Sequence, residues 1–249
     1  MKTILNLKQC LILFAAVFSL TSCLKSDDPD FQIFPGGYVI QEVTEIPGGE
    51  GEDATYSDRF APYVIAQAYN YEQIASCSAS GGGSTMLMSK ADQYGYVWIT
   101  SIPTYSSEFP KDTYTIQATN AEGEIATNSV YFNLITKQMK GKLKGGINYD
   151  SNTKKLSVEF NKVENATEYI VTASTSSDAN LLNTYFVATY TESQISGSLS
   201  LEESSFAKNL EAGETYYLST AAIIGSSSTG SISVIQKGIK TITYTKASN

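Results

Sequence analysis

The chain has 249 residues, with 25 acids against 17 bases, a formal net charge of −8 and no histidine. The missing imidazole excludes Ser-His-Asp and Cys-His catalysis and any metal site built on histidine. The acid excess argues against nucleic acid, whose phosphates need cationic partners.

The first 9 residues carry Lys2 and Lys8 and no acid, and Cys10 to Leu20 is apolar apart from Ser19. A run of 11 residues is too short to cross roughly 30 Å of hydrocarbon as a helix. The stretch reads as an export signal, to be set apart from the fold. It ends Leu20-Thr21-Ser22-Cys23, which resembles the lipobox of bacterial lipoproteins. That resemblance implies cleavage before Cys23, a diacylglycerol on its thiol, and a membrane partner reached through this anchor. Each buried CH2 contributes about 0.8 kcal/mol, so several acyl chains hold firmly where one holds weakly. Leu24-Lys25-Ser26-Asp27-Asp28 resembles the acidic export tag of Bacteroidota lipoproteins. It implies an outer-membrane location facing the cell exterior; the rival reading is a plain acidic linker. Residues 1–22 are therefore expected to be the signal peptide and 23–35 the lipidated tether.

Removing residues 1–22 leaves 227 residues with a net charge of −10. Residues 24–136 hold 15 acids against 4 bases, and residues 137–249 hold 10 acids against 11 bases. Cys77 is then the single cysteine left beside Cys23, so no intramolecular disulfide is expected. Ala75, Cys77 and Ala79 alternate on one strand face, and Cys77 reads as a small buried hydrophobe.

Strands are expected at Ile74–Ala79, Thr85–Met88, Tyr96–Thr100, Thr113–Thr119 and Ile125–Phe132, from period-two alternation. Gly81-Gly82-Gly83 reads as a turn. Residues 36–136 are expected to form one β-sandwich. Its Pro110–Gly123 stretch, with Tyr114, Ile116, Ala118 and Asn120, resembles the end of an immunoglobulin-like domain. The resemblance implies structural roles for Cys77, Trp98 and Tyr114, with Ile116 in a cysteine's place. Residues 137–146 carry four lysines and three glycines and read as a solvated hinge.

The second half alternates at Leu156–Phe160, Glu168–Ser174, Tyr185–Thr189, Tyr216–Ala222 and Ile232–Ile242, with one short helical turn in Ser204–Leu210. Turn signals stand at Asp150–Asn152, Asp178–Asn180, Ala212-Gly213 and Gly225–Gly230. Val163–Val171 and the spacing Leu210, Ala212, Glu214, Tyr216, Leu218, Thr220, Ala222 resemble a fibronectin type III domain over about residues 145–246, and residues 147–249 are expected to form that domain. The resemblance implies a core tyrosine at Tyr169 and a corner tyrosine at Tyr216 whose hydroxyl bonds back to the chain. The expected fold is all-β, with an immunoglobulin-like sandwich followed by a fibronectin type III-like one.

No catalytic constellation, cofactor motif or metal-ligand spacing stands out. Glu50, Glu52, Asp53 and Asp58 lack the regular spacing of a calcium loop and read as an acidic loop. Tyr94 and Tyr105, flanking the Trp98 strand, are the candidate ligand-contact aromatics. The expected function is a non-catalytic, lipid-anchored surface protein that binds or scaffolds, with a glycan or protein as ligand. The alternative is an adhesin or fimbrial subunit activated by cleavage at Arg59, the single arginine, in a stretch read as a loop. A glycosidase using two carboxylates is the third reading.

Overall fold

A computed structural model describes residues 31–49, 54–176 and 184–247. Cys23, the Glu50–Asp53 part of the acidic loop and the Asp178–Asn180 turn lie outside the described residues. The rest is all-β. The strands are β1 (Ile33–Ile46), β2 (Thr55–Ala68), β3 (Ile74–Gly81), β4 (Ser84–Lys90), β5 (Val97–Thr100), β6 (Thr113–Asn120) and β7 (Ile125–Tyr131) in the first half. They continue as β8 (Gly146–Asp150), β9 (Lys155–Glu159), β10 (Glu168–Ser174), β11 (Thr184–Tyr190), β12 (Ser198–Glu202), β13 (Thr215–Ser226) and β14 (Ser231–Thr245). Among the described residues one four-residue α-helix, α1 (Glu203–Phe206), interrupts them.

The chain does not divide at one point. Residues 41–58 group with the second half from Lys137 onward, and the described residues 31–40 group with Arg59–Thr136. Strands β1 and β2 therefore supply residues to both compact units. The fold also begins earlier than expected: Phe31 is buried and β1 starts at Ile33, inside the stretch read as tether.

In the unit from Lys137, a three-stranded sheet ordered β12-β9-β8 and a four-stranded run ordered β11-β10-β13-β14 form a sandwich, every pairing antiparallel. Alternation explains the core. Leu156 and Val158 of β9, Tyr169, Val171 and Ala173 of β10, and Tyr216, Leu218 and Ala222 of β13 are all buried. The two large rings keep their hydroxyls satisfied. Tyr169 Oη accepts the Val163 N–H at 2.7 Å, and Tyr216 Oη accepts the Glu211 N–H at 2.8 Å. A buried phenol without such a partner would lose much of what its ring gains.

The stretch read as a solvated hinge is instead a packed strap. Met139 and Leu143 are fully buried. Gln41 Nε2 donates to Met139 O at 2.8 Å, and Met139 N donates to Gln41 Oε1 at 3.0 Å. Gln236 repeats the device, accepting from Leu143 N and donating to Gly141 O. The lysines dominate the composition, but two apolar anchors four residues apart set the conformation, with two buried glutamines satisfying the backbone between them.

Glu203, the first residue of α1, ties the end of this sandwich. Its Oε1 accepts from Tyr244 Oη at 2.7 Å and Tyr149 Oη at 2.9 Å, and Lys154 lies 3.6 Å from Oε2. The rings of Tyr149, Phe206 and Tyr244 meet edge to face. The Tyr244 hydroxyl, with help from Tyr149 and Lys154, holds the Glu203 carboxyl below its ordinary range. Burial and the Glu203 carboxylate push the Tyr149 phenol up to about 12. A depressed carboxyl contributes stability that is present above its unfolded pKa and lost as pH falls through the folded one. A raised phenol contributes stability that is present below its unfolded pKa and lost as pH rises towards the folded one. Glu203→Gln is therefore expected to lower stability at pH 7, and its gap to wild type to close as pH falls below about 4. Urea unfolding of both chains across pH 3–7 checks this; a gap that does not change with pH would refute it.

In the other unit the strand order is β2-β5-β4-β3-β6-β7, again antiparallel. The β3–β4 hairpin turns at Gly82 and Gly83, both at positive φ, which a two-residue turn of this kind requires. The sheet folds over. Gly37 of β1 lies against the Tyr63 carbonyl, Val130 and Phe132, with no room for a Cβ, and Asn128 Nδ2 donates to Ile33 O at 3.0 Å. Cys77 pairs with Ala118 and Ile116 with Ala79, so Cys77 and Ile116 sit on neighbouring strands of one sheet rather than facing each other.

Candidate functional site

The candidate site is a tyrosine cluster at one end of the unit holding residues 59–136. Two segments build it. The first is the 3₁₀ turn Tyr69–Tyr71 that follows β2, where Asn70 and Tyr71 take φ of 53° and 58°. Two consecutive left-handed non-glycine residues are costly, on the order of 1–3 kcal/mol each, and a bulky tyrosine there is an outlier. The second is the Ala91–Tyr96 loop between β4 and β5. Asp92 Oδ1 shapes it by accepting the N–H of Gly95 at 2.8 Å and of Val97 at 3.3 Å.

Long-range bonds join the two segments. Ala68 N donates to Tyr96 O at 2.8 Å, Ile74 N to Gly95 O at 3.0 Å, and Gln73 Nε2 to Tyr94 O at 3.1 Å. The rings then meet. Tyr94 and Tyr96 lie nearly parallel, with centroids 5.4 Å apart, and Tyr71 stands edge-on to Tyr96 at 5.7 Å. Tyr71 is 68 % exposed and Tyr94 56 %, values that no core residue shows. Asn120, the register partner of Ile74, donates its Nδ2 hydrogens to Glu72 Oε1 and to Glu124 Oε2, each at 2.7 Å, which ties the residue after Tyr71 to the turn between β6 and β7.

Of the two candidate contact aromatics, Tyr94 belongs to this cluster and Tyr105 does not. The Tyr105 ring instead carries the Arg59 guanidinium 5.2 Å above its centroid. Arg59 lies within strand β2, not in a loop, and the neighbouring Phe60 exchanges backbone hydrogen bonds with Ser106. The candidate structural residues Cys77, Trp98, Tyr114, Tyr169 and Tyr216 are all buried. Trp98 donates its indole N–H to Gly95 O at 3.3 Å, under the tyrosine loop. Cys77 Sγ contacts Met88 Sδ, and burial pushes its thiol up to about 12, so it is no nucleophile.

Tyr71, Glu72 and Asn120 were absent from the sequence-based site. The one local signal is Asn70 between two tyrosines, since asparagine tolerates the left-handed region. Among the described residues no group of three or more acids and cysteines could hold a metal ion, and no helix is long and apolar enough to cross a membrane.

No family model and no curated protein matches the chain. One similar solved structure is described as the FN1-FN3 domains of chicken CNTN1, at 9 % identity over 88 % of this chain and 96 % of that one, with a TM-score of 0.28. That score carries no correspondence of residues or function, and the all-β sandwich assignment stands on the strand order and hydrogen bonds given above.

Proposed function

We propose that this chain is a lipid-anchored surface protein that binds or scaffolds rather than catalyses, and that it captures glycan through the Tyr71–Tyr94–Tyr96 face. The observation that carries the reading is that face: three clustered tyrosines, two of them more than half exposed, with Tyr71 held on a turn at positive φ. A fold that only needed a core would bury such rings; exposed and clustered rings offer apolar area at low entropic cost. The resemblance of Leu20–Cys23 to a lipobox supplies the anchor. In the adhesin reading, cleavage at Arg59 would have to open strand β2, which holds that residue.

The test has two arms. Cys23→Ala in the full chain should move the protein from the membrane fraction to the soluble one; retention in the membrane would sink the anchor. The soluble chain from Leu24 should bind members of a mixed array of glycans and surface proteins. Tyr71→Ala/Tyr94→Ala should weaken that binding by about tenfold per ring, equivalent to about 1.4 kcal/mol each. Equal binding by both chains would exclude the face.

A further inference from the structure

We propose that the tyrosine face takes a neutral glycan, stacked on the rings and held at its rim by Glu72 and Glu124, and that it rejects chains bearing uronate or sulfate. The inference rests on the reading of this face as the contact surface. Tyr71 perpendicular to Tyr96, with Tyr94 parallel to it, forms a corner of two apolar walls. A pyranose ring presents C–H faces to such walls and hydroxyls around its edge.

The rim decides the class. Glu72 Oε1 and Glu124 Oε2 accept from the same Asn120 nitrogen and are at most 5.4 Å apart. Asn120 is itself 3 % exposed, and its Oδ1 accepts the N–H groups of Glu122 and Glu124. The two carboxylates are thereby fixed, and each keeps a second oxygen with no protein partner among the described residues. Ionised carboxylates only accept hydrogen bonds, so the ligand must bring donors, which sugar hydroxyls do. Asp92 adds a third negative charge to the loop, while Lys90, packed along Gly95, supplies a cation. Three carboxylates against one ammonium repel an anionic sugar.

Affinity electrophoresis of the soluble chain from Leu24 tests this, with gels containing neutral polysaccharides (galactomannan, mixed-linkage glucan, dextran) or acidic ones (polygalacturonate, heparin). Wild type should be retarded by at least one neutral polysaccharide and by neither acidic one. Tyr71→Ala/Tyr94→Ala should lose about tenfold of that affinity per ring, and Glu72→Gln/Glu124→Gln should weaken it while leaving the circular dichroism unchanged. Retardation by an acidic polysaccharide that the tyrosine variant abolishes overturns the neutral class but keeps the face. Retardation that the tyrosine variant leaves intact overturns both. No retardation by any neutral polysaccharide overturns the class alone, and release of reducing ends from a bound one overturns the holding role.

Discussion

Replacing Gln41 with leucine is expected to lower the unfolding free energy by about 2–5 kcal/mol, the cost of leaving one buried N–H and one buried C=O unpaired. The side chain is 1 % exposed and bonds both backbone groups of the fully buried Met139. It also donates to Asp58 Oδ1 at 3.2 Å, so both hydrogens of its amide are used. Leucine has nearly the same volume and no polar atoms, which separates the lost hydrogen bonds from a cavity. Urea unfolding measures the effect, and amide exchange at Met139 should quicken in the variant. A loss below about 1 kcal/mol would mean that water reaches Met139 and that the strap is not sealed.

The same residues show why the sequence misled here. Gln41 and Gln236 are polar letters in strands, and the partners they satisfy lie 98 and 93 residues away. Nothing local marks a glutamine as buried, so Lys137–Gly146 read by its lysines. The same blindness hid β1 and β2, the two longest strands of the first half. Pro35-Gly36-Gly37 and Pro62 break their pattern, and much of β2 from Phe60 to Ala68 is buried on both faces, so alternation disappears. By contrast β9 and the start of β13 were legible, because Leu156 and Val158, and Tyr216 and Leu218, are buried between exposed or half-buried neighbours, whereas β10 was legible by its letters alone, Thr172 and Ser174 alternating with Val171 and Ala173 although both its faces are buried.

The candidate site divides the same way. Tyr94 drew attention through its nearness to Trp98, but Tyr71 joins it only because Ile74 bonds to Gly95 and Ala68 to Tyr96. Tyr105 is closer to Trp98 in sequence than Tyr71 is, yet the chain after β5 carries it to Arg59 instead. Exposure of a tyrosine is a tertiary fact: alternation says which side it faces and not whether that side is covered.

Gly238→Ala is expected to be among the most damaging single-methyl insertions, at the upper end of the about 1–3 kcal/mol that overpacking usually costs. A Cβ at Gly238 would overlap Thr220 Oγ1 and stand 3.3 Å from the Thr220 carbonyl oxygen. Thr220 is fully buried, and its hydroxyl has no hydrogen-bond partner among the described residues. It sits at an irregularity in the β13–β14 register, between Ser219 and Ala221, pressed between Gly145 and Gly238. Removing the hydroxyl gives up no hydrogen bond and relieves a desolvated polar atom worth about 1–3 kcal/mol. That gain offsets the lost methyl packing, so Thr220→Ala alone should change stability by less than about 1 kcal/mol. In the double variant the new methyl at position 238 fills the space the threonine vacates, and the cycle should show a favourable coupling of about 1–3 kcal/mol. Gly145→Ala provides the control. Its Cβ would meet the same oxygen, but Gly145 also holds φ at +28°, so Thr220→Ala should rescue it less completely. Denaturant melts of the two singles and the double measure the cycle. Additive losses for Gly238→Ala and Thr220→Ala would show that the glycine is required for its backbone and not for the oxygen it accommodates.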